Sequence, residues 1–311
     1  MSNKPLISVC IVTYNHEKYI RKCVESIIGQ SVDAAFEIII SNDASTDNTK
    51  LILDDLVLLY PEKLRVVNLV ENVGPYKNYR ILHELARGKY IAHCDGDDYW
   101  LPSKLRKQMQ FFDNNGDCTA VYTNAIVKDE FDTEYNAIFN NWVAEKFNLD
   151  YLVEKGNFLN HSSMIYRRDL KDLVIPSSPK FIDYMIHINL AKEGSLGYIN
   201  EPLVVYRVNT AESLIRNQSN NISLMVIDAL RSVALMIPDR IRVNINVDYY
   251  SRYIIALIKR DKKYCQEMPK YVYEGVNVPF LKVCINILTI TWKKIMRTYF
   301  FRKRENVLFP R

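Results

Sequence analysis

The sequence predicts an α/β protein built on a mostly parallel sheet flanked by helices, and three observations predict it. Short apolar runs alternate with helix-period patterns four times in the first hundred residues. The runs are nearly continuously apolar, as strands covered on both faces are. Three of them end abruptly in polar residues, at the strand ends where open α/β sheets bind ligands.

Leu6 to Thr13 is the expected first strand, ending in Tyr14-Asn15-His16. Ile20, Cys23, Val24, Ile27 and Ile28 then recur at helical spacing. Phe36 to Ile40 is the second strand, ending in Ser41-Asn42-Asp43, and Leu51, Leu53, Leu56 and Leu59 mark the second helix. Leu64 to Val70 is the third strand. Ile81, Leu82 and Leu85 mark a third helix, which Arg87-Gly88 is expected to close with glycine at the C-terminal cap. Lys89 to Cys94 is the fourth strand. Downstream, the patterns predict a helix from Pro102-Ser103 to Asn114, a strand over Thr119–Val127 and an irregular loop over the site between Lys128 and Lys146. A short strand and turn follow His161, a helix runs from Asp183 to Gly194, and Leu203–Val208 is a final strand.

The fourth strand runs into Asp95, Asp97 and Asp98. Carboxylates packed so closely repel, and a divalent cation is the simplest compensation. Hard oxygen ligands in an Asp-x-Asp spacing suit magnesium or manganese, which usually also hold substrate phosphates. An extended chain would point Asp95 and Asp97 the same way. A solvated acidic turn with Asp98 capping the next helix accounts for these three residues equally well on their own. The convergence of Thr13-Tyr14-Asn15, Asp43 and Asp95-Gly96-Asp97 on three successive strand ends favours the metal-binding reading. No Gly-x-Gly-x-x-Gly follows the first strand and no Gly-x-x-x-x-Gly-Lys-Ser/Thr occurs, so dinucleotide-binding and P-loop readings lose their main support.

The 311 residues, 48% hydrophobic and 25% charged, read as an ordinary globular chain. Six cysteines form no Cys-x-x-Cys pair and are expected as reduced core residues of a reducing compartment. Met1 to Pro5 does not resemble a signal peptide, and no run of about eighteen apolar residues appears. The expected location is therefore cytoplasmic. The net charge of +5 is unevenly placed: from Phe280 to Arg311, eight cations and one acid give +7, leaving −2 elsewhere. This tail reads as a basic amphipathic helix on the anionic surface of the inner membrane, or as a helix packed on the catalytic domain with a basic rim. No nucleic-acid motif accompanies it, so no nucleic-acid partner is expected. The expected division is a catalytic domain over residues 1–215 and a helical region with the basic tail over 216–311.

Together these motifs resemble the inverting glycosyltransferase family 2, over roughly Ile7 to Ser213. The strand ending in Thr13-Tyr14-Asn15 is similar to its opening motif. Glu37 to Asp47 is similar to its second, Asn72 to Asn78 to its Asn/Gly loop, and Asp95-Gly96-Asp97-Asp98-Tyr99-Trp100 to its metal motif. The resemblance implies a GT-A fold and transfer of one sugar from a nucleoside-diphosphate sugar, expected to be UDP-linked, to a hydroxyl of a glycan or lipid-linked acceptor. It assigns the nucleotide-sugar site to Thr13, Tyr14, Asn15, Asp43, Lys77 and Asp95. It assigns an Mn2+ or Mg2+ ion to Asp97 with Asp95, and the catalytic base to Asp183. His161 falls where acceptor contacts would lie, and Trp100 is expected as packing or as a wall of the acceptor site. Two departures are Ile182, where the family often has Glu before the base, and Asn209, where a His is common. The polymer-synthase motif Gln-x-x-Arg-Trp is absent, which favours single-sugar transfer, with bacterial surface polysaccharide as the expected context.

Two other classes fit parts of the pattern. Asp95-x-Asp97 after a strand also resembles an aspartate-nucleophile phosphatase, although Tyr99 stands where that family has Thr or Val. A nucleotide-sugar-binding protein without turnover would keep the donor motifs and need no base at Asp183.

Overall fold

The computed structural model describes residues 5–129, 137–175, 181–208, 219–260, 262, 265, 278–300 and 307–309. The chain forms two compact units. The first comprises residues 1–148, 158–213 and 306–311, the second 149–157 and 214–305.

In the first unit β1 (Ile7–Thr13), β2 (Phe36–Asn42), β3 (Leu64–Asn68) and β4 (Tyr90–Asp95) are parallel, in the order β3-β2-β1-β4. β5 (Tyr99–Trp100), β6 (Cys118–Lys128), β7 (Ala137–Asn140), β8 (Lys146–Phe147), β9 (Ile165–Arg167), β10 (Ser195–Arg207) and β11 (Val307–Phe309) complete the sheet. β9 runs antiparallel between β4 and β6, and β10 lies parallel to β6 over most of its length. β7 continues antiparallel from the far end of β6 and pairs in parallel with β11. Residues 130–136 of the stretch read as an irregular loop lie outside the described residues, whereas β7 and β8 fall within it as strands.

β1 is central because its residues suit neither edge nor solvent. Ile7, Val9, Cys10 and Ile11 are wholly buried, and fully burying such an aliphatic side chain contributes about 1.5–3 kcal/mol. The flanking helices follow their sequence period. α1 (Ile20–Ile28) buries Ile20, Cys23, Val24 and Ile27, the i, i+3, i+4, i+7 stripe of an amphipathic helix. α2 (Thr49–Leu59) turns Thr49, Leu53 and Leu56 inward and leaves Leu51 and Leu59 exposed. Two of the four leucines that mark this helix in the sequence thus stand outside the core.

α3 (Gly74–Leu85) ends at an Ala86 cap, not at Gly88. Gly88 serves a different need: a Cβ there would lie 2.5 Å from the backbone nitrogen of Ser8, where the chain passes close against β1. Ser8 Oγ accepts from the N–H groups of Arg87 (3.0 Å) and Gly88 (2.8 Å) at this crossing. α4 (Lys104–Asn114) and a short α6 (Lys171–Val174) precede α7 (Asp183–Glu193). Between α4 and α6 in sequence, α5 (Leu149–Lys155) belongs to the second unit.

The second unit also contains α8 (Ser219–Arg231), α9 (Asp239–Lys259) and α10 (Phe280–Phe300). α9 meets α10 through Ser251, whose hydroxyl lies 3.3 Å from the Val283 carbonyl and accepts from Asn286 at 3.2 Å. Opposite the buried Val283, α10 exposes Phe280, Leu281, Ile285, Leu288 and Trp292. Among the described residues no helix is long and apolar enough to cross a membrane.

Lys104, at the start of α4, is wholly buried and its Nζ has no hydrogen-bond partner. The amine lies 3.7 Å from the centroid of the Trp100 ring, and burial pushes it down to about 7. Between pH 7 and the ordinary lysine value the unfolded chain binds more protons than the folded one, so stability rises with pH through that window. Lys104→Met, which keeps the volume without the desolvation cost, is expected to raise unfolding stability at neutral pH by on the order of 2 kcal/mol. Its pH dependence across the same window is expected to flatten. Urea unfolding of the two proteins at pH values on either side of the window checks both effects. An unchanged or lower midpoint for Lys104→Met would contradict them.

Candidate active site

The C-terminal ends of β1, β2 and β4 are tied into one edge by groups that the sequence placed at strand ends. Asp43 N–H donates to the Thr13 carbonyl at 3.0 Å. Asn15, in a left-handed conformation at φ 54°, donates its N–H to Ser45 Oγ (3.0 Å) and accepts from Thr46 N–H at Oδ1 (2.8 Å). Asp43 is buried; its Oδ1 accepts from Val73 N–H (2.8 Å) and its Oδ2 from Gly74 N–H (3.0 Å). It thereby fixes the entry to α3, on which Lys77 stands exposed. Tyr14 is half-buried at the end of β1.

The acidic stretch is a turn rather than an extended chain. Gly96 N–H donates to the Val12 carbonyl (2.9 Å) and Asp98 N–H to the Asp95 carbonyl (3.0 Å). Asp95 and Asp97 therefore do not share one face of a strand, which corrects the expectation from strand alternation. The turn needs glycine at its corner. A Cβ at Gly96 would lie 2.8 Å from His16 Nδ1 and 2.9 Å from the Thr13 side chain, and those two groups already touch at 3.2 Å.

The three aspartates then separate. Asp98 is wholly buried and caps no helix: Oδ1 accepts from the Arg207 N–H at 2.8 Å, and Oδ2 has no hydrogen-bond partner. Burial, with the charges of Asp97 and Asp95, pushes its carboxyl well above the usual range. Asp97 stays half-buried in the turn, its carbonyl accepting from Arg207 Nη1. The Arg207 guanidinium in turn lies over the rings of Tyr19 (4.8 Å) and Tyr99 (5.0 Å). Asp95 keeps 40% of its side-chain surface open. Partial enclosure works to raise its carboxyl. The hydrogen bond from His93, with His16 and Ser162, outweighs that and holds it below the usual carboxylate range.

Asp183 is the first residue of α7; the preceding Ile182 occupies the cap, so capping does not account for the carboxylate. Asp183 is open to water by area, yet crowding of its carboxyl by protein atoms, and next the charge of Asp95, pushes it up to about 6. Tyr206, on β10, locates the convergence. Its hydroxyl is pushed up by enclosure and then by Asp98, Asp97, Asp183 and Asp95. The structure thus gathers into one neighbourhood the two expected metal ligands and the expected base, which lie far apart in sequence.

The two acceptor residues are interior. Trp100 is 2% exposed, and its indole N–H donates to the Ser162 carbonyl at 3.0 Å. His161, also buried, stacks on Tyr79 at 5.7 Å, lies 4.5 Å from the His93 ring and places Nδ1 3.4 Å from His187 Nε2. Neither presents a face on which an acceptor sugar would rest, because both rings are packed into the interior. Sequence reasoning missed His93, Ser162, Tyr206 and Arg207. For His93 a signal existed: two residues before Asp95 on a strand, it must share that face. For the others no local signal does, since their partners lie 67 to 110 residues away.

Carboxylate oxygens at Asp95 and Asp97 suit a hard divalent ion that takes one or two protein ligands and completes its shell with phosphate and water. No cluster of three or more His, Cys, Asp or Glu fit to hold a metal occurs among the described residues.

The sequence model of Glycosyl transferase family 2 matches residues 8–174. The chain belongs to this family. It is 31% identical over 206 residues to the putative teichuronic acid biosynthesis glycosyltransferase TuaG of Bacillus subtilis, covering 66% of this chain and 80% of that one. The chain spans 58% of the length of uncharacterised mycobacterial relatives to which it is 32% identical. Among solved structures, Staphylococcus aureus TarS residues 1–349 in complex with UDP-GlcNAc superposes with a TM-score of 0.55 at 20% identity, over 72% of this chain and 66% of that one. The mannosyltransferase PcManGT of Pyrobaculum calidifontis, in complex with GDP-Man and Mn2+, gives 0.54 at 16% identity, over 75% and 65%. These likenesses establish the GT-A glycosyltransferase fold.

Proposed function

We propose that this family-2 chain transfers a single sugar, with inversion, from a nucleoside-diphosphate sugar to a hydroxyl of a glycan or lipid-linked acceptor. One observation carries the reading: two carboxylates near enough for one to act on the other are pushed apart in acidity. Asp95 is held ionised beside the turn while Asp183 is raised to about 6. Such a split leaves Asp95 charged for ligand binding and brings Asp183 into the range of a general base. In this reading Asp183 takes the proton from the acceptor hydroxyl as it attacks the anomeric carbon, and the diphosphate leaves from the opposite face. Thr13, Tyr14, Asn15, Asp43, Lys77 and Asp95 hold the nucleotide sugar. Asp97 with Asp95 would hold magnesium or manganese, as one neighbour of the same fold holds Mn2+. When bound, such an ion stabilises the charge that builds on the leaving diphosphate.

The UDP-GlcNAc complex of one neighbour supports a UDP-linked donor, and the named role of the Bacillus relative supports a bacterial surface-polysaccharide acceptor. Phosphoryl transfer through an aspartyl intermediate has less support. The family model that matches residues 8–174 is that of a glycosyltransferase.

The exposed apolar face of α10 carries the remaining part of the proposal. Leu281, Ile285, Leu288 and Trp292 lie at helical spacing on a helix whose sequence has four cations and no acid. Apolar anchors on a cationic helix fit an anionic lipid surface. This supports a peripheral place on the cytoplasmic face of the membrane.

Calorimetric titration of UDP is expected to show binding that requires manganese and weakens at least tenfold in Asp97→Asn, as loss of a metal ligand predicts. Absence of binding by UDP and every other nucleoside diphosphate, with any divalent cation, would overturn the donor assignment.

Asp183→Asn is expected to lower kcat by about 10²–10⁴ while UDP affinity stays within about twofold, because the residue acts on the acceptor. In the wild type kcat/KM is expected to fall as pH drops through about 6, since protonated Asp183 cannot accept a proton. Full activity of Asp183→Asn, or a rate unchanged well below that pH, would remove the base role.

Co-sedimentation with phosphatidylglycerol vesicles is expected to exceed that with phosphatidylcholine vesicles, to fall at high salt and to weaken in Leu288→Asp. Equal recovery with both lipids, or none, would contradict membrane docking.

A further inference from the structure

Beneath the acidic turn lies a file of buried polar rings that the reaction itself does not use. The Tyr166 hydroxyl is 2.8 Å from His83 Nδ1, His83 Nε2 is 3.1 Å from His93 Nδ1, and His93 Nε2 is 3.2 Å from Asp95 Oδ1. Tyr166 and His83 are wholly buried and His93 is 1% exposed. Tyr79 stacks on His83 with centroids 3.9 Å apart and planes at 16°.

We propose that Tyr166, His83 and His93 are positioning residues that aim Asp95, each donating one hydrogen bond to the next and the last to the carboxylate. The role rests on the reading of Asp95 as a ligand of the donor's metal and phosphates.

The direction of the file follows from counting protons. A neutral imidazole has one donor and one acceptor. Ionised Asp95 is acceptor-only, so His93 donates to it from Nε2 and keeps its lone pair at Nδ1. His83 then donates from Nε2 to that lone pair and accepts at Nδ1, and the Tyr166 O–H supplies that last bond. Every link is satisfied with both rings neutral. Burial holds His83 well below the ordinary histidine range, which agrees with a neutral ring. The adjacent pair gives a contrast: His161 Nε2 and His187 Nδ1 have no hydrogen-bond partner. An unbonded buried polar nitrogen costs free energy, so complete pairing of the file marks it off from rings that merely fill space.

The file is not a proton exit. It ends at a tyrosine hydroxyl that is wholly enclosed and pushed upward by that enclosure. Orientation is what remains. His93 fixes Oδ1 from within the sheet, and Ser162 Oγ reaches Oδ2 at 3.3 Å while accepting from the Asp95 N–H at 3.0 Å. With both oxygens tethered, the carboxylate plane is set before any ligand arrives. Outer groups of this kind set ligand geometry, and losing one typically costs 10–100-fold in metal affinity.

The test uses the full chain labelled with 15N. Long-range proton–nitrogen spectra near neutral pH are expected to show His83 and His93 as neutral Nε2–H tautomers. A protonated His93, or an Nδ1–H tautomer at either ring, overturns the proposal from the wild type alone. His93→Phe keeps an aromatic ring in place and is expected to weaken manganese binding in the presence of UDP by about tenfold or more. His93→Gln, whose amide N–H reaches toward the same oxygen, is expected to recover most of that loss. His83→Phe is expected to leave His93 as a mixture of tautomers. Equal manganese affinity in the wild type and His93→Phe, or no recovery in His93→Gln, overturns the proposal and leaves the transferase reading standing. A wild type that binds no manganese with any nucleoside diphosphate overturns that reading instead, and with it the role given to Asp95. If His93→Phe does not fold, His93→Gln, His83→Phe and the wild-type spectra decide the matter.

Discussion

Mutual repulsion among carboxylates is the constraint on which the rest of the site depends. Asp95, Asp97, Asp98 and Asp183 all act on the Tyr206 hydroxyl, so they share one small region, and each must be held there by something other than its neighbours. The fold answers differently for each. Asp98 goes into the interior, where burial favours its protonated form and removes one charge from the crowd. Its other task is mechanical: it receives the Arg207 N–H and so locks the acidic turn to the end of β10. Asp95 stays ionised because donors meet both of its oxygens. Asp183 is raised by enclosure and by Asp95, on a helix start whose cap is another residue.

The same economy governs the strand ends. Parallel strands leave their C-terminal backbone groups at one edge of the sheet, and those groups must find partners outside it. Here β1, β2 and β4 supply one another. Thr13 accepts from Asp43, Val12 from Gly96, and Asn15 bridges to the loop after β2. Asp43 holds the turn into α3 with both carboxylate oxygens. Loops that would otherwise be mobile become a shelf, and the close contact of Gly96 with Thr13 and His16 sets its depth. Backbone and side-chain bonds within the protein thus fix this edge without a ligand.

Much of this was legible in the sequence because it rests on period. The stripe Ile20, Cys23, Val24, Ile27 is a helix facing a sheet whichever way it is inspected, and the continuous apolar run of β1 admits a central strand and little else. Errors arose where period underdetermines environment. Leu51 and Leu59 fit a helical repeat yet face water, because α2 is more apolar than its single buried face requires. Asp95 and Asp97 fit strand alternation, but backbone bonds from Gly96 and Asp98 close a turn there instead. Trp100 and His161 lie beside the acidic motif in chain and space, and proximity alone does not distinguish a wall from a foundation. Ser162 and Arg207 were out of reach, since nothing local says that residue 162 will stand under residue 95.

The choice of donors around the turn has a consequence for function. A lysine or arginine paired directly with Asp95 would also orient it, but would cancel the charge that a divalent ion needs. Neutral imidazole and hydroxyl donors orient the carboxylate and leave its charge in place. Arg207, the cation nearest the turn in these contacts, directs Nη1 at the Asp97 backbone carbonyl and lays its plane over Tyr19 and Tyr99. Its main-chain N–H donates to Asp98 Oδ1. At Asp95 the orientation therefore comes from hydrogen bonds with His93 and Ser162. That combination suits a pocket whose ligand is a cation bridging to phosphates, and it explains why buried histidines stand where a salt bridge would be the simpler way to hold an aspartate still.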